Sequence, residues 1–265
     1  MKQIPWHARF AILLALLLPV YFAIAALGTK FGLWSWQVGL GSLVIGAGPM
    51  LLGIVALVAL ASLVLAVIRK PRNGWPVALI ALLIPLGIFA FLTSARASAD
   101  ANPIHDVATD TGNPPEFSAS TIQMREAADA NPLNDYQVPL GEIEMFAGSP
   151  PELAIQSHAQ IITDSYADLA PLPLGGASTQ DGVAAVAAAM GEMGFADIRS
   201  DTETGRVEGV AESFWFGFKD DVVARVGETQ IDFRSVSRVG RSDLGANAER
   251  IKELRQTTAA RIGQR

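Results

Sequence analysis

Cysteine is absent from this 265-residue chain, which excludes disulfides, thiolate metal sites and a cysteine nucleophile. Acidic residues are absent from the first 99 positions: all 26 Asp and Glu lie at or beyond Asp100. Histidine is scarce, with only His7, His105 and His158 to serve as bases or imidazole ligands. Neither Gly-x-Gly-x-x-Gly nor the phosphate-binding Gly-x-x-x-x-Gly-Lys occurs, so the glycines carry no nucleotide signature. What remains divides into two solvent regimes. Residues 1–99 are rich in Leu, Ala, Ile and Val with only seven Lys and Arg, a composition built for lipid. Residues 100–265 hold 13 Lys and Arg against 26 acids. Such an acidic remainder argues against nucleic acid, whose phosphates are bound by clustered Lys and Arg. It also disfavours nonspecific adhesion to anionic lipid.

Three apolar segments, about 10–27, 43–68 and 76–94, predict three transmembrane helices. Trp34, Trp36 and Trp75 fall beside their ends, where indole rings favour the lipid–water boundary. Lys2 and Arg9 precede the first span and Arg69, Lys70 and Arg72 crowd the second loop, whereas Lys30 stands alone in the first. The positive-inside bias then makes the amino terminus cytoplasmic and exports the carboxy-terminal domain, in a Gram-negative cell across the inner membrane to the periplasm. A cleaved signal peptide ending near Ala23-Ile24-Ala25 is the rival reading, but its apolar run exceeds the usual h-region. No ionisable residue lies inside a span, so the membrane part carries no mark of an ion pathway. Its glycines, Gly39 among them, serve either close helix approach or a loosened helix start before Pro49.

Residues 100–151 are proline-rich and read as extended segments and turns, either a linker or an arm laid across the domain. Residues 152–265 read as an α+β domain. A helix capped by Ser178 is followed by strand-like runs near 195–199, 206–213, 221–226 and 229–237, and a final helix starts near Ser242 or Asp243. Glu203-Thr204-Gly205 and Gly227-Glu228 are hairpin material. That order predicts an antiparallel sheet with helices packed on one face. Phe214, Phe216 and Phe218 are expected beneath those helices, with Trp215 more exposed; the other reading has Trp215 and Phe216 meeting lipid or a partner.

The segments IHDVATDTGNPPEF (104–117), FWFGFKDDVVARV (214–226) and IDFRSVSRVGRSDLGANAERI (231–251) resemble the domain of unknown function 1499 family, over roughly residues 102–256. The resemblance implies a membrane-anchored bacterial protein of unestablished activity. The cysteines of some members are absent here, so nothing resting on them carries over.

Strand alternation puts Ile231 and Phe233 on one face and Asp232, Arg234, Val236 and Arg238 on the other. Arg234 and Ser235 of the last strand, Arg238 and Arg241 after it, and Asp243 and Asn247 at the following helix start form a candidate anion site. The competing role for the arginines is pairing with Asp220, Asp221, Asp232 and Asp243. Gly240 to Gly245, GRSDLG, departs by one residue from a nucleophile elbow, and Ser242 would need His105 or His158 folded onto it. His105 with Asp106 lacks a second ligand at metal-site spacing. No catalytic set, metal site or cofactor is therefore assigned. The expected function is noncatalytic: a membrane-tethered module for an envelope partner or an anionic small ligand. The alternative is an envelope hydrolase using His105 or Ser242.

Overall fold

A computed structural model describes residues 4–263. The chain forms two compact units, Met1–Ala97 with Phe214–Gly217, and Ser98–Ser213 with Phe218–Arg265. The first contains α1 (Trp6–Lys30), a π-helical stretch (Gln37–Ala47) that runs into α2 (Gly48–Ile68), and most of α3 (Trp75–Ala101). All three helices are long and apolar enough to cross a membrane. Their packing inverts that of a water-soluble bundle. Ala11, Ala15, Ala59 and Ala81 are fully buried, while Leu13, Leu16, Leu57 and Leu83 face outward. Small residues bring helices close where lipid supplies no hydrophobic drive for association. Gly39 belongs to the same device, since a Cβ there would stand 1.9 Å from Thr29 Oγ1 and 2.8 Å from the Ala25 carbonyl. Within this unit the Phe214–Gly217 segment meets the end of α1: Lys30 Nζ donates to the Phe214 carbonyl at 2.9 Å and stands 5.3 Å over its ring.

The second unit is α+β, with a six-stranded antiparallel sheet. In chain order it has β1 (Asp106–Ala108), α4 (Ala119–Ala127), α5 (Pro151–Ala154), α6 (His158–Ser165), β2 (Leu172–Pro173) and α7 (Thr179–Glu192). Then follow β3 (Ala196–Asp201), β4 (Arg206–Glu212), β5 (Lys219–Val226), β6 (Gln230–Ser237) and α8 (Ala246–Gly263). The spatial order is β1-β6-β5-β4-β3, and β2 shares the outer edge of β6 with β1. The proline-rich segment is thus an arm within the fold. β1 continues the sheet, Ile104 and Val107 enter its core, and Ser118 caps α4 by accepting from the Thr121 amide.

One sheet face buries Val207, Val222, Ala224, Ile231 and Phe233 against Val186 and Met190 of α7 and Ile251 and Leu254 of α8. The opposite face is covered by the arm, where Phe117, Val223 and Val236 pack together with Ile122 and Leu133 alongside. The period of two is what separates these sets. Phe214 and Trp215 join neither face. They are 72% and 54% exposed at the tip of the β4–β5 loop, which overturns the expectation of Phe214 beneath the helices. Phe216 and Phe218 are half-buried. β4 ends at Glu212, and Gly217 turns the chain at φ 68° before β5.

The β3–β4 turn depends on Gly205, which sits at φ 67°. A Cβ there would stand 2.3 Å from the Val226 carbonyl, the acceptor side of the same strand end whose amide donates to the Gly205 carbonyl. Gly205→Ala is expected to destabilise the sheet by about 1–3 kcal/mol, read as a lower urea midpoint for the far-UV circular dichroism of the full chain.

Candidate functional site

The arm-covered face of the sheet is lined with charge. β6 presents Asp232 and Arg234, with Arg238 just beyond its end; β5 presents Asp221 and Arg225, and β4 presents Glu208, each met by a group from the arm or a neighbouring strand. Asp106 of β1 receives both Nε and Nη2 of Arg234, at 3.0 and 2.7 Å, a bidentate ion pair with both partners buried. Tyr136 donates its hydroxyl to the same carboxylate, and the Arg234 guanidinium lies 5.2 Å from the Tyr136 ring centroid. Beside it, Asp221 holds two cations, Arg125 of α4 and Arg238 just past the end of β6. Ser118 and Thr121, at the start of α4, donate their hydroxyls to Glu208 at 2.7 and 2.6 Å. Three carboxylates of different strands thereby fasten one arm.

The electrostatics follow from burial set against pairing. Desolvation alone would push the Asp106 carboxyl up, but the Arg234 charge and the hydrogen bonds from Arg234 and Tyr136 outweigh it and hold the group below the usual carboxylate range. Arg234 is raised in return, the Asp106 charge overcoming its own desolvation. Burial, reinforced by the adjacent Asp106 charge, pushes the Tyr136 hydroxyl well up. At neutral pH the cluster is therefore a carboxylate, a guanidinium and a neutral phenol.

Two buried histidines flank it. His105 stacks on Phe146 at 6.2 Å between centroids, with the backbone of Pro132 and Arg241 beside its ring. His158 stacks on Tyr136 at 5.5 Å, with Nε2 3.4 Å from Asn134 Nδ2 and Nδ1 unpartnered. Burial lowers both, His158 to about 4, against the opposing pull of Asp106. Among the described residues no group of three or more His, Asp or Glu converges as a metal site.

The residues proposed from sequence as an anion site are separated by the sheet. Arg234 and Arg238 lie on the arm side, where carboxylates of the chain occupy the positions a ligand anion would take. Ser235 and Asn247 lie on the helix side: Ser235 Oγ donates to Asn247 Oδ1 at 2.6 Å, and Asn247 Nδ2 donates to the His105 carbonyl at 2.8 Å. The α8 start is already capped, the Asp243 carboxylate accepting from the amides of Gly245 and Asn247 at 2.8 and 2.7 Å. Desolvation outweighs those amides and raises Asp243 to about 6. Arg241 is exposed in the β6–α8 loop. Ser242 donates to the Asn102 carbonyl at 2.6 Å, and His105 is engaged with Phe146 rather than with that hydroxyl. Trp215 and Phe216 lie in the β4–β5 loop described above.

Sequence reasoning missed Tyr136 and Arg125. An aromatic and a basic residue inside a polar, proline-rich stretch were their only signal. The elements that carry this cluster, from β1 through α8, coincide with a known family. A family model described as Protein of unknown function (DUF1499) matches residues 106–257. The chain belongs to the DUF1499 family. No curated protein and no solved structure matches it. The DUF1499 segment begins at Asp106, the buried carboxylate itself, and ends inside α8, so the clustered charges and the arm that carries Arg125 and Tyr136 fall within it.

Proposed function

We propose that this DUF1499 chain is a membrane-tethered display module whose α+β domain acts outside the cytoplasm, in a Gram-negative cell in the periplasm, by binding an envelope partner without catalysis. The observation that carries the reading is the internal pairing of the domain's central charges. Arg234 is held by Asp106, Arg238 by Asp221, and the α8 start by Asp243, so the groups that would select an anionic small ligand act inside the fold. The geometry favours a partner over such a ligand. It also favours binding over hydrolysis, because the Ser242 hydroxyl is engaged with a backbone carbonyl and His105 with an aromatic ring. Three spans with basic residues before the first and between the second and third support export of the domain.

Two measurements test this. A phosphatase reporter fused after the last residue is expected to be active and one fused at Arg72 inactive; the reverse pattern would overturn the orientation. In cells lacking the chain, Ser242→Ala is expected to restore the wild-type phenotype fully. Failure of this variant to rescue, with the domain still folded, would favour the hydrolase.

A further inference from the structure

The register of the sheet gathers three features at one end. β4 finishes at Glu212 opposite Lys219, where β5 begins; β6 finishes at Ser237 opposite Asp220; β1 begins at Asp106 opposite Val236. The β4–β5 loop, the β6–α8 loop and the entry of the chain from α3 through Asn102 to His105 therefore share that end. The hydrogen bond from Ser242 to the Asn102 carbonyl joins the last two. This end also carries exposed apolar side chains: Phe214 at 72%, Trp215 at 54% and Leu244 at 51% exposure. The Phe214 and Trp215 rings pack edge to face at 5.2 Å, a bulky pair with no core to enter. The β3–β4 hairpin, with Glu203, lies at the other end.

A second observation comes from the first unit. Its Phe214–Gly217 segment meets Lys30, the last residue of α1, and Phe31 and Leu33 beyond it are 71% and 72% exposed. Gly217 leaves room for this approach, since a Cβ there would stand 3.1 Å from Lys30 Cγ. A lysine closing an apolar span marks the headgroup level, and aromatic rings concentrate at the same level. Three sequential spans make α1 and α3 cross in the same direction, so Lys30 and Asn102 emerge on the same side of the bilayer.

We propose that the Phe214–Trp215 tip of the β4–β5 loop seats in the headgroup boundary of the bilayer that the chain itself spans, giving the domain a lipid contact in addition to its covalent tether. The contact is apolar. The rings that make it carry no charge, so salt should leave it largely unchanged.

The cysteine-free sequence permits a clean test in the full chain. Nitroxide labels are placed on Trp215→Cys, Phe214→Cys and Glu203→Cys in nanodiscs of phosphatidylethanolamine and phosphatidylglycerol holding one copy each. Labels at 214 and 215 are expected to collide several-fold more with oxygen than with a water-soluble nickel chelate, at low and high salt alike, and the label at 203 to show the reverse. Chelate accessibility at 214 and 215 equal to that at 203 would overturn the proposal. Shielding from both agents would overturn it too, because it would mean burial against protein. Unchanged amide exchange in β5 and β6 shows that the labelled chains are folded, and the two loop positions serve as each other's check.

Discussion

Asp106→Asn should be the most damaging conservative substitution in the domain. The carboxylate is fully buried, accepts from Arg234 at 3.0 and 2.7 Å, and also receives the Tyr136 hydroxyl. Asparagine keeps the shape but leaves the Arg234 guanidinium as a buried charge without its counterion. Removing one partner of such a pair costs about 3–5 kcal/mol, mostly the desolvation of the group left behind. Native-state hydrogen exchange in β6 should report this as a loss of protection by roughly two to three and a half orders of magnitude. Tryptophan emission is the wrong probe, since no tryptophan lies in the core of this unit. Asp106→Leu with Arg234→Met removes both charges and should recover most of the loss. Unchanged protection in Asp106→Asn would show that the pair does not hold the arm. The carboxyl is held below its unfolded value, so its contribution is complete above an unfolded pKa of about 3.9 and is lost as pH falls through the folded value.

The partner of Arg238 was legible in the sequence, and that of Arg234 was not. Asp221 precedes Arg238 by 17 positions on the adjacent strand of a hairpin, so alternation and a short turn bring them together. Asp106 stands 128 positions before Arg234, and their meeting depends on an arm returning to the edge of β6. Nothing local in either segment specifies that pairing. The three long apolar helices were readable from composition alone, and the two faces of β6 because strand side chains alternate. The arm was half readable. Its prolines announced extended chain, but α4 lies inside it, begun by the Ser118 cap and fixed by Arg125 reaching Asp221. The aromatic loop misled for a different reason. Phe214, Phe216 and Phe218 carry strand-like alternation, yet the aromatic bulk of the core comes from Phe233, Phe146 and Tyr136, leaving the loop outside it.

Acid should weaken the same arm through His158. Its ring is fully buried against Tyr136 and Phe146, and burial lowers it to about 4 from 6.5. Between those values the unfolded chain binds a proton that the folded chain does not. Stability attributable to this residue is therefore complete above pH 6.5 and falls as pH drops toward 4, by about 3 kcal/mol in all. His105 acts in the same direction. Asp243 acts oppositely, because its folded value lies near 6 and the folded state takes up its proton first. The total curve thus mixes opposing slopes, and the informative quantity is the difference between the native chain and His158→Phe, which keeps an aromatic ring beside Tyr136. That difference should shift by about 3 kcal/mol in favour of the variant from pH 6.5 to 4, measured by urea unfolding followed by circular dichroism. Parallel curves for the two proteins would mean that His158 titrates alike in both states. The arm would then owe its acid sensitivity to Asp106 and its neighbours alone.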